Sequence, residues 1–377
     1  MSKNCTVVLV LKDLPIGGIE EVFFGLAKEL INTNVHVELI VLNDVVSEAM
    51  LKRFSSLYIR IYVLKNTGFL QKSFHLLKVL SNLSRATHNP VGVISAKEKA
   101  NFTCAVVKLM AALTLEVRNV KFLATRHVSI KPSVSCGDAS WSTQYLYKFY
   151  SAVGVKISAC SIGLANEVAE TCNVKCVPLY NPILGDTFTQ RVRDTYHKSS
   201  DIFFDESDEV LKISFIGRLV HQKGLDILLD AMKQVSRPFH LIVAGDGIQK
   251  SFLQESALVS DISSQKIEFI GEIDNPLSLI RDSDLVIMPS RWEGLPTILI
   301  EAVMMKTRVF ASDCDFGPRE ILHPECQDGL FRTGDHFQLA KMIDEFVATR
   351  PDERAYEFIM DRFSQANCTK KYLEILF

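Results

Sequence analysis

Residues 289–302 read PSRWEGLPTILIEA and decide the predicted fold. The apolar run before them, 285–289, predicts a buried strand, and residues 296–305 predict a helix. This alternation of strand and helix recurs along the chain and predicts an α/β protein whose parallel sheets are covered on both faces. The other predicted strands are 6–11, 35–42, 57–64, 91–95, 120–125, 155–160, 175–178, 211–217, 239–244, 267–270, 308–311 and 329–331.

The chain of 377 residues is long enough for two domains of ordinary size. The alternation breaks after residue 185, and an acid-rich polar stretch extends to about residue 210. We therefore predict two doubly wound, Rossmann-like domains with a central cleft between them, where the carboxyl ends of the strands would bind ligands. The predicted parts are an N-terminal domain (1–185), a linker (186–210), a C-terminal domain (211–350) and closing helices (351–377).

Composition excludes several classes of protein. Hydrophobic residues make up 47% of the chain and charged residues 23%, which is ordinary globular usage and not that of a disordered chain. No uncharged apolar run approaches the ~18 residues of a membrane span, so a cytoplasmic location is expected. The nine cysteines are scattered, and only Cys172 and Cys176 lie close together. A zinc site there is the weaker interpretation, and buried free thiols are the better one.

Charge is distributed unevenly along the chain. Residues 49–137 carry 14 lysines and arginines against two acids, Glu98 and Glu116, and include a basic amphipathic helix pattern. A solvated basic face explains one such helix, but the near absence of acids favours an anionic membrane surface or an anionic substrate. Nucleic acid is disfavoured because no binding motif is present. The basic residues assigned to this membrane or acceptor patch are Lys65, Lys72, Lys78 and Arg85.

Cations follow the first strand of the C-terminal domain. Arg218 comes after Gly217 at the strand end, and Lys223 lies near the start of the next helix. An arginine can bind two phosphate oxygens at once, a lysine adds a point charge, and a helix N-terminus also favours an anion. A surface loop with two cations is the structural alternative. The glycine turn around Gly245 is weak evidence by itself, since tight turns need glycine for structural reasons.

Two carboxylates belong to the stretch quoted at the outset. Glu293 lies in the loop after the strand, and Glu301 lies one to two turns into the helix. Carboxylates accept hydrogen bonds from sugar hydroxyls, and the free amides at the start of the helix can face an anion. The alternative is that Glu301 caps the helix or pairs locally. The helix-opening residues are Gly294, Leu295, Pro296 and Thr297.

The N-terminal half contributes two further features. Gly17 and Gly18 follow the first strand and allow a ligand close to the backbone at a helix start. The G-x-G-x-x-G pattern is absent, which disfavours a nicotinamide dehydrogenase, and the nucleotide-binding G-x-x-x-x-G-K-[ST] loop is absent too. His127 follows the strand at 120–125, where a structural and a functional role are about equally supported.

These motifs together resemble the family 4 retaining glycosyltransferases of GT-B fold. The resemblance covers nearly the whole chain and is strongest over 211–345, where G-R-L…K-G, G-D-G and E-G-L-P with a second Glu eight positions on occur in order. The segment FGPREIL, residues 316–322, is similar to members that build bacterial surface polysaccharides.

The resemblance implies roles for these positions. Arg218 and Lys223 would bind the donor diphosphate without a metal or cofactor, and Glu293 would hold donor-sugar hydroxyls. His127 would contact the donor sugar or the acceptor near the reacting carbon. The catalytic set is therefore His127, Glu293, Arg218 and Lys223. The other implied donor contacts are Gly17 and Gly18 at the diphosphate, Gly294 to Thr297 near the sugar, Glu301 at the ribose, Gly271, Glu272 and Ile273 at the base, and Gly245.

The implied activity is transfer of a hexose or N-acetylhexosamine from a nucleotide diphosphate sugar, by analogy a UDP-sugar, to a glycan acceptor. The acceptor would be lipid-linked, and the enzyme would sit peripherally on the inner face of the cytoplasmic membrane, in O-antigen, capsule or exopolysaccharide synthesis. The alternatives are another enzyme of this fold, such as a nucleotide-sugar epimerase or a sugar phosphorylase, and a non-catalytic membrane- or sugar-binding protein.

Overall fold

The structure is a computed structural model. The chain folds into two compact units. Unit 1 comprises Met1–Gly185 together with Phe363–Phe377, and unit 2 comprises Asp186–Arg362. Each unit has a parallel sheet with helices between its strands. The residues described are 5–64, 68–87, 89–114, 120–130, 142–197, 209–257, 265–322, 324–347 and 353–377.

Unit 1 is built on a parallel sheet of seven strands in the order β3-β2-β1-β4-β5-β6-β7. All six side chains of the first strand are buried, as expected for a strand covered on both faces. The strands are β1 (Thr6–Leu11), β2 (His36–Val41), β3 (Arg60–Val63), β4 (Val91–Ala96), β5 (Val120–Arg126), β6 (Lys156–Ala159) and β7 (Cys176–Pro178). The helices are α1 (Gly18–Asn32), α2 (Glu48–Ser55), α3 (Phe69–Thr87), α4 (Glu98–Thr114), α5 (Thr143–Ala152) and α6 (Ile162–Cys172).

The last helix of the chain, α15 (Gln365–Leu376), completes unit 1. Ser364 caps it by accepting a hydrogen bond from the Asn367 amide. The buried Gln365 side chain occupies space that two glycines leave open, since a Cβ at Gly185 would lie 1.9 Å from Gln365 Oε1 and one at Gly25 2.7 Å from Gln365 Nε2. Tyr372 and Leu376 belong to the same apolar cluster as Val7, Leu9 and Leu11 of β1. These contacts make residues 363–377 part of the unit 1 core.

Unit 2 is built on a parallel sheet of six strands in the order β10-β9-β8-β11-β12-β13. The strands are β8 (Leu211–Ile216), β9 (Phe239–Ala244), β10 (Gln265–Gly271), β11 (Leu285–Met288), β12 (Arg308–Ser312) and β13 (Leu330–Phe331). The helices are α7 (Asp186–His197), α8 (Leu225–Met232), α9 (Lys250–Ala257), α10 (Leu277–Asp282), α11 (Thr297–Met304), α12 (Pro318–Ile321), α13 (His336–Asp344) and α14 (Glu353–Phe363), with 3-10 turns at His221–Lys223 and Pro324–Gly329.

The predicted α/β class and the strands in both sheets are confirmed. The helix expected near Lys223 begins two residues later, at Leu225, because a 3-10 turn precedes it. Residues 186–197, within the segment predicted to be a linker, form α7 and belong to unit 2. In the part of the chain that the structure describes, no helix combines the length and the apolarity that a membrane crossing requires.

Candidate functional site

The strand order of each sheet identifies where a ligand would bind. In unit 2 the order reverses between β8 and β11, and in unit 1 it reverses between β1 and β4. Open parallel sheets bind ligands beyond the carboxyl ends of the strands at such a reversal. In unit 2 the segments that follow those ends are Gly217–Lys223 and Pro289–Glu293, which carry the two cations and the carboxylate predicted from the sequence.

An ion pair joins the two segments of unit 2. Lys223 Nζ lies 2.6 Å from Glu293 Oε1, and Ser290 Oγ donates to the same oxygen at 2.7 Å. Glu293 is only 5% exposed, so its charge depends on these two donors. No described residue donates to Glu293 Oε2, and Lys223 has three N–H donors, of which Glu293 uses one. The pair is thus held in place while both members can still bind a ligand.

The loops around the ion pair are fixed by hydrogen bonds between them. Gln222 Nε2 donates to the Trp292 carbonyl at 3.0 Å, and the Arg291 amide donates to the Gln222 carbonyl at 2.8 Å. Arg291 also holds Asp226 in a two-pronged ion pair at 2.8 and 2.6 Å. Partial burial raises the pKa of Asp226, but Arg291 outweighs it, so the pKa is lowered overall. The positions of the two loops and the charge of Asp226 are therefore fixed without a ligand.

Arg218 lies in the same loop as Lys223. Its side chain is exposed, and its Nη2 donates to Gln222 Oε1 at 3.2 Å. That single neutral partner leaves most of the guanidinium donors to solvent or to an anion. The structure therefore places Arg218 and Lys223 in one loop, as predicted, with Gln222 between them in the sequence.

Glycines at the ends of β8, β9 and β10 let these loops approach each other closely. Gly245 has a φ of +143°, and a Cβ there would lie 1.9 Å from the Gly217 carbonyl oxygen. Its amide donates to the Gly271 carbonyl at 2.7 Å, and Gly271 itself has a φ of +76°. Beyond Gly271, the Glu272 side chain is exposed and Ile273 packs on a small apolar cluster. The backbone conformation and the close approach to Gly217 therefore both require glycine at position 245.

The N-terminus of α11 opens without a side-chain cap. Pro296 precedes the first helical residue, Thr297, in an extended conformation. Uncapped helical amides can bind an anion, as predicted for the segment from Gly294 to Thr297. Gly317, in the FGPREIL segment, packs on this turn with a φ of +98°, and a Cβ there would lie 2.4 Å from Pro296 Cδ.

Glu301 has a partner that the sequence alone did not identify. Arg191, on α7, places Nη1 3.1 Å from Glu301 Oε1. This partner is not local, since it lies 110 positions away in the segment predicted to be a linker. A carboxylate held by arginine can still accept from hydroxyls at its remaining lone pairs.

His127 ends a buried hydrogen-bond network in unit 1. Thr125 Oγ1 donates to the Ser95 carbonyl at 2.9 Å, so it can only accept from His127 Nε2, which lies 2.9 Å away. The proton of the neutral ring is therefore on Nε2. His127 Nδ1 is buried and has no hydrogen-bond partner among the described residues. Burial, and then Arg126 and Lys97, lower the His127 pKa to about 4. The ring offers a neutral acceptor at pH 7.

Stability of unit 1 should depend on pH through His127. Between its ordinary pKa of 6.5 and about 4, the unfolded state binds a proton that the folded state excludes, so stability falls as pH falls. The expected loss is about 2 to 3 kcal/mol between pH 7 and about pH 4.5. His127→Asn should lack this loss in urea unfolding, whereas His75→Asn, which removes an exposed histidine of α3, should behave as wild type. An equal loss in His127→Asn would contradict the assignment.

The glycines after β1 lie where α1 begins. Gly17 precedes the helix without a side-chain cap, and a Cβ there would lie 2.6 Å from Glu20 Oε2. Nothing lies within 4 Å of a Cβ at Gly18. The buried Glu20 pairs with Lys97 at 2.5 Å. The space beside Gly17 is thus occupied by the Glu20 side chain, and no side chain caps the start of the helix.

The predicted basic patch lies on α3. Lys78 and Arg85 are exposed, and Lys72 is half-buried. Lys65 lies outside the described residues. The same helix exposes Leu70 (66%) and Phe74 (61%). This combination of cations and exposed apolar side chains is typical of surfaces that bind anionic membranes.

The two neighbouring cysteines are free thiols. Cys172 is buried and Cys176 half-buried. Burial raises the pKa of Cys172 to about 11 and that of Cys176 to about 12, so both stay protonated. Among the described residues, no cluster of three or more His, Cys, Asp or Glu side chains could hold a metal.

Sequence reasoning did not assign roles to several residues that shape the site. Ser290 and Ser312 are buried, and Ser312 Oγ donates to the Ser290 carbonyl, which supports the donor to Glu293. The signal for Ser290 was its place directly after an apolar strand end. Arg191, Asp226 and Gln222 act through partners 65 or more positions away, which no local pattern reveals.

The fold and the site define a class of protein. The chain matches the structure of the Anabaena protein Alr3699/HepE in complex with UDP with a TM-score of 0.76 and 15% identity, over 98% of this chain and 99% of that one. The fold is therefore GT-B, with one Rossmann-like sheet in each unit. The family model described as glycosyl transferases group 1 matches residues 198–358. The resemblance found in the sequence is confirmed.

Curated relatives extend the comparison. The chain is 28% identical over 273 residues to an uncharacterized glycosyltransferase, MJ1059, of Methanocaldococcus jannaschii, covering 68% of this chain and 62% of that protein. It is 28% identical over 167 residues to a Campylobacter jejuni enzyme described as a GalNAc-alpha-(1->4)-GalNAc-alpha-(1->3)-diNAcBac-PP-undecaprenol alpha-1,4-N-acetyl-D-galactosaminyltransferase, covering 42% and 46%. The matches thus span less than two thirds of these relatives.

Proposed function

We propose that the protein is a retaining glycosyltransferase that moves a hexose or N-acetylhexosamine from a nucleotide diphosphate sugar to a glycan acceptor. The observation that best supports this proposal is the Lys223–Glu293 ion pair. The cation lies 2.6 Å from the buried carboxylate, where the strand order of the unit 2 sheet reverses. Diphosphate and sugar hydroxyls are the complementary chemistry for such a pair.

In this proposal the donor diphosphate lies on cations and amides. Arg218 binds two phosphate oxygens, Lys223 uses its remaining N–H donors, and the uncapped amides of α11 supply further donors. These charges stabilise the leaving diphosphate, so no metal is required. The carboxylates hold hydroxyls, with Glu293 Oε2 at the sugar and Glu301 at the ribose. The remaining proposed donor contacts are Gly17, Gly18, Gly245, and the backbone of Gly271, Glu272 and Ile273 at the base.

His127 is proposed to contact the donor sugar or the acceptor near the reacting carbon through its neutral ring. Its low pKa keeps the ring neutral, so it positions a hydroxyl and does not act as a cationic acid. The bond between the anomeric carbon and the diphosphate oxygen breaks, the acceptor hydroxyl oxygen bonds to the same face of that carbon, and the hydroxyl proton passes to the departing diphosphate oxygen. Retention then follows without a nucleophile from the protein.

The nucleotide and the acceptor are proposed from the relatives. The Anabaena protein was solved in complex with UDP, which supports a UDP-sugar. The name of the Campylobacter enzyme contains a PP-undecaprenol acceptor, which supports a lipid-linked glycan. We accordingly place the protein in bacterial surface polysaccharide synthesis, at the inner face of the cytoplasmic membrane.

Donor binding tests this function directly. Calorimetry without metal against UDP, GDP, ADP and TDP and their sugars should find one nucleotide that binds wild type. Arg218→Ala should weaken that binding about tenfold or more, because a charge-assisted phosphate contact is lost. Arg332→Ala, an exposed arginine of unit 2 outside the site, is the matched control.

Products separate the alternatives. A transferase releases nucleoside diphosphate and extends a lipid-linked glycan, an epimerase returns an isomeric nucleotide sugar, and a binding protein leaves the donor intact. Failure of all four nucleotides to bind, with or without added metal, would overturn the proposal.

We also propose that α3 attaches the protein to anionic membranes through Lys78 and Arg85. Reversing both charges should weaken binding to vesicles rich in phosphatidylglycerol by about 30-fold or more, since each basic residue near such a surface contributes about 1 kcal/mol. Co-sedimentation measures the effect. Reversing Lys306 and Arg332 in unit 2 should change nothing, and equal losses in both double variants would indicate a net-charge effect only.

A further inference from the structure

A cavity of about 480 Å³ lies in unit 1 at the carboxyl edge of the sheet. It is formed where strand order reverses between β1 and β4, because Lys12 follows β1 and Lys99 lies three residues after the end of β4. That edge is where a doubly wound sheet binds its ligand. The lining residues are Lys12, Leu42, Asn43, Phe69, Lys72, Lys99, Phe102 and Thr103.

Three lysines and no carboxylate line this cavity. Lys12 pairs with Asp13 outside the lining, at 2.8 Å. Lys72 has a neutral partner, the side-chain oxygen of Asn43, and Lys99 is exposed. No carboxylate of the described residues pairs with Lys72 or Lys99. Like charges repel one another unless an anion separates them, so the arrangement favours a multiply charged anion.

One asparagine fixes the cations in position. Asn43 Nδ2 donates to Asp13 Oδ1 at 2.6 Å, and Asn43 Oδ1 accepts from Lys72. Partial burial raises the pKa of Asp13, but hydrogen bonds from Lys12 and Asn43 and the charges of Lys12 and Lys97 lower it overall, so Asp13 is ionised at neutral pH. Lys12 and Lys72 are thus tied to one preformed network, which reduces the entropy lost when an anion binds.

Part of the lining is apolar. The rings of Phe69 and Phe102 stack with centroids 5.2 Å apart, and Leu42 completes the surface. Phe69 is 41% exposed, so its ring can contact a ligand. A cavity lined by both lysines and stacked rings suits a phosphorylated group attached to an apolar chain or to the apolar face of a sugar.

We propose that this cavity binds the phosphate or diphosphate group of the acceptor, an inference that rests on the proposed transferase function and names its acceptor chemistry. Lys72 and Lys99 contact the phosphate oxygens, and Lys12 contributes from the network around Asn43. The Phe69–Phe102 pair contacts the apolar group that the phosphate carries. The donor phosphates are assigned to Arg218 and Lys223, so the protein has two separate sites for phosphate.

Direct binding tests the cavity independently of transfer. Inorganic pyrophosphate is titrated into full-length Arg218→Ala by calorimetry, because this background weakens the donor phosphate site. Lys72→Gln and Lys99→Gln should each weaken the remaining binding about tenfold, as expected for one charge-assisted contact. Lys99 is exposed, so its variant keeps the fold, and glutamine at position 72 retains a donor for Asn43. Lys78→Gln, on the same helix outside the cavity, is the matched control.

Geranyl diphosphate, geranyl monophosphate and geraniol identify the source of the anion. Tighter binding of geranyl diphosphate than of pyrophosphate supports a lipid-linked diphosphate, and equal binding supports a soluble phosphorylated acceptor. Equal pyrophosphate affinity in Arg218→Ala and in its Lys72→Gln and Lys99→Gln derivatives would overturn the proposal. Failure of nucleotides to bind wild type would count against the transferase function alone, since pyrophosphate binding in unit 1 is measured separately.

Discussion

Lys223→Ala is expected to lower the free energy of unfolding of unit 2 by about 3 kcal/mol or more, because the buried carboxylate of Glu293 loses the one cation that pairs with it among the described residues. Glu293 is buried, and Ser290 alone cannot replace the charge. Native-state hydrogen exchange of peptides from β8 and β11 measures the change within unit 2. Donor binding should be lost in the same variant, since Lys223 is proposed to contact the diphosphate.

The double variant Lys223→Ala, Glu293→Gln is the control for this result. Removing the charge of Glu293 removes the uncompensated carboxylate, so stability should largely return while donor binding stays lost. Unchanged protection of β8 and β11 in Lys223→Ala would show that the pair contributes little to stability.

Gly245→Ala should destabilise unit 2 by about 3 kcal/mol or more, through backbone strain and a direct clash. A φ of +143° is rarely adopted by residues with a side chain, and the added carbon would lie 1.9 Å from a backbone oxygen of Gly217 that cannot move aside freely. The thermal transition of unit 2 should shift to a lower temperature. Donor binding should also weaken, because a displaced Gly217 would displace Arg218, which follows it.

Gly18→Ala is the matched substitution for Gly245→Ala. Nothing lies within 4 Å of the added carbon at Gly18, which begins α1, so stability should stay the same or rise slightly. Equal effects of the two substitutions would mean that the close approach of Gly245 to Gly217 is unimportant.

The two sheets could be predicted from the sequence because their strands are buried on both faces. Such strands are continuous apolar runs, as in β1 and β9, where every residue is buried. The helical character of 186–197 was missed because α7 is polar, with only a few buried residues to mark a face. Its stability depends on partners elsewhere in unit 2, including Asn275, which donates to Thr195.

The candidate site was predicted as a set of residues and not as a set of contacts. Lys223 and Glu293 were both identified from motifs, but their pairing joins positions 70 apart and depends on the order of strands in the sheet. The same holds for Arg191 and Glu301, which are 110 apart. Motifs mark which side chains have unusual chemistry, whereas the sheet topology decides which of them meet.

The discontinuity of unit 1 has a consequence for how the protein is made. A ribosome completes residues 1–185 early, but the helix that seats Gln365 against Gly25 and Gly185 emerges only after all of unit 2 has been synthesised. Until then the nascent chain exposes the apolar surface that Tyr372 and Leu376 will cover. Unit 2 is continuous and can mature first, so the half of the protein translated first is the last to reach its native state.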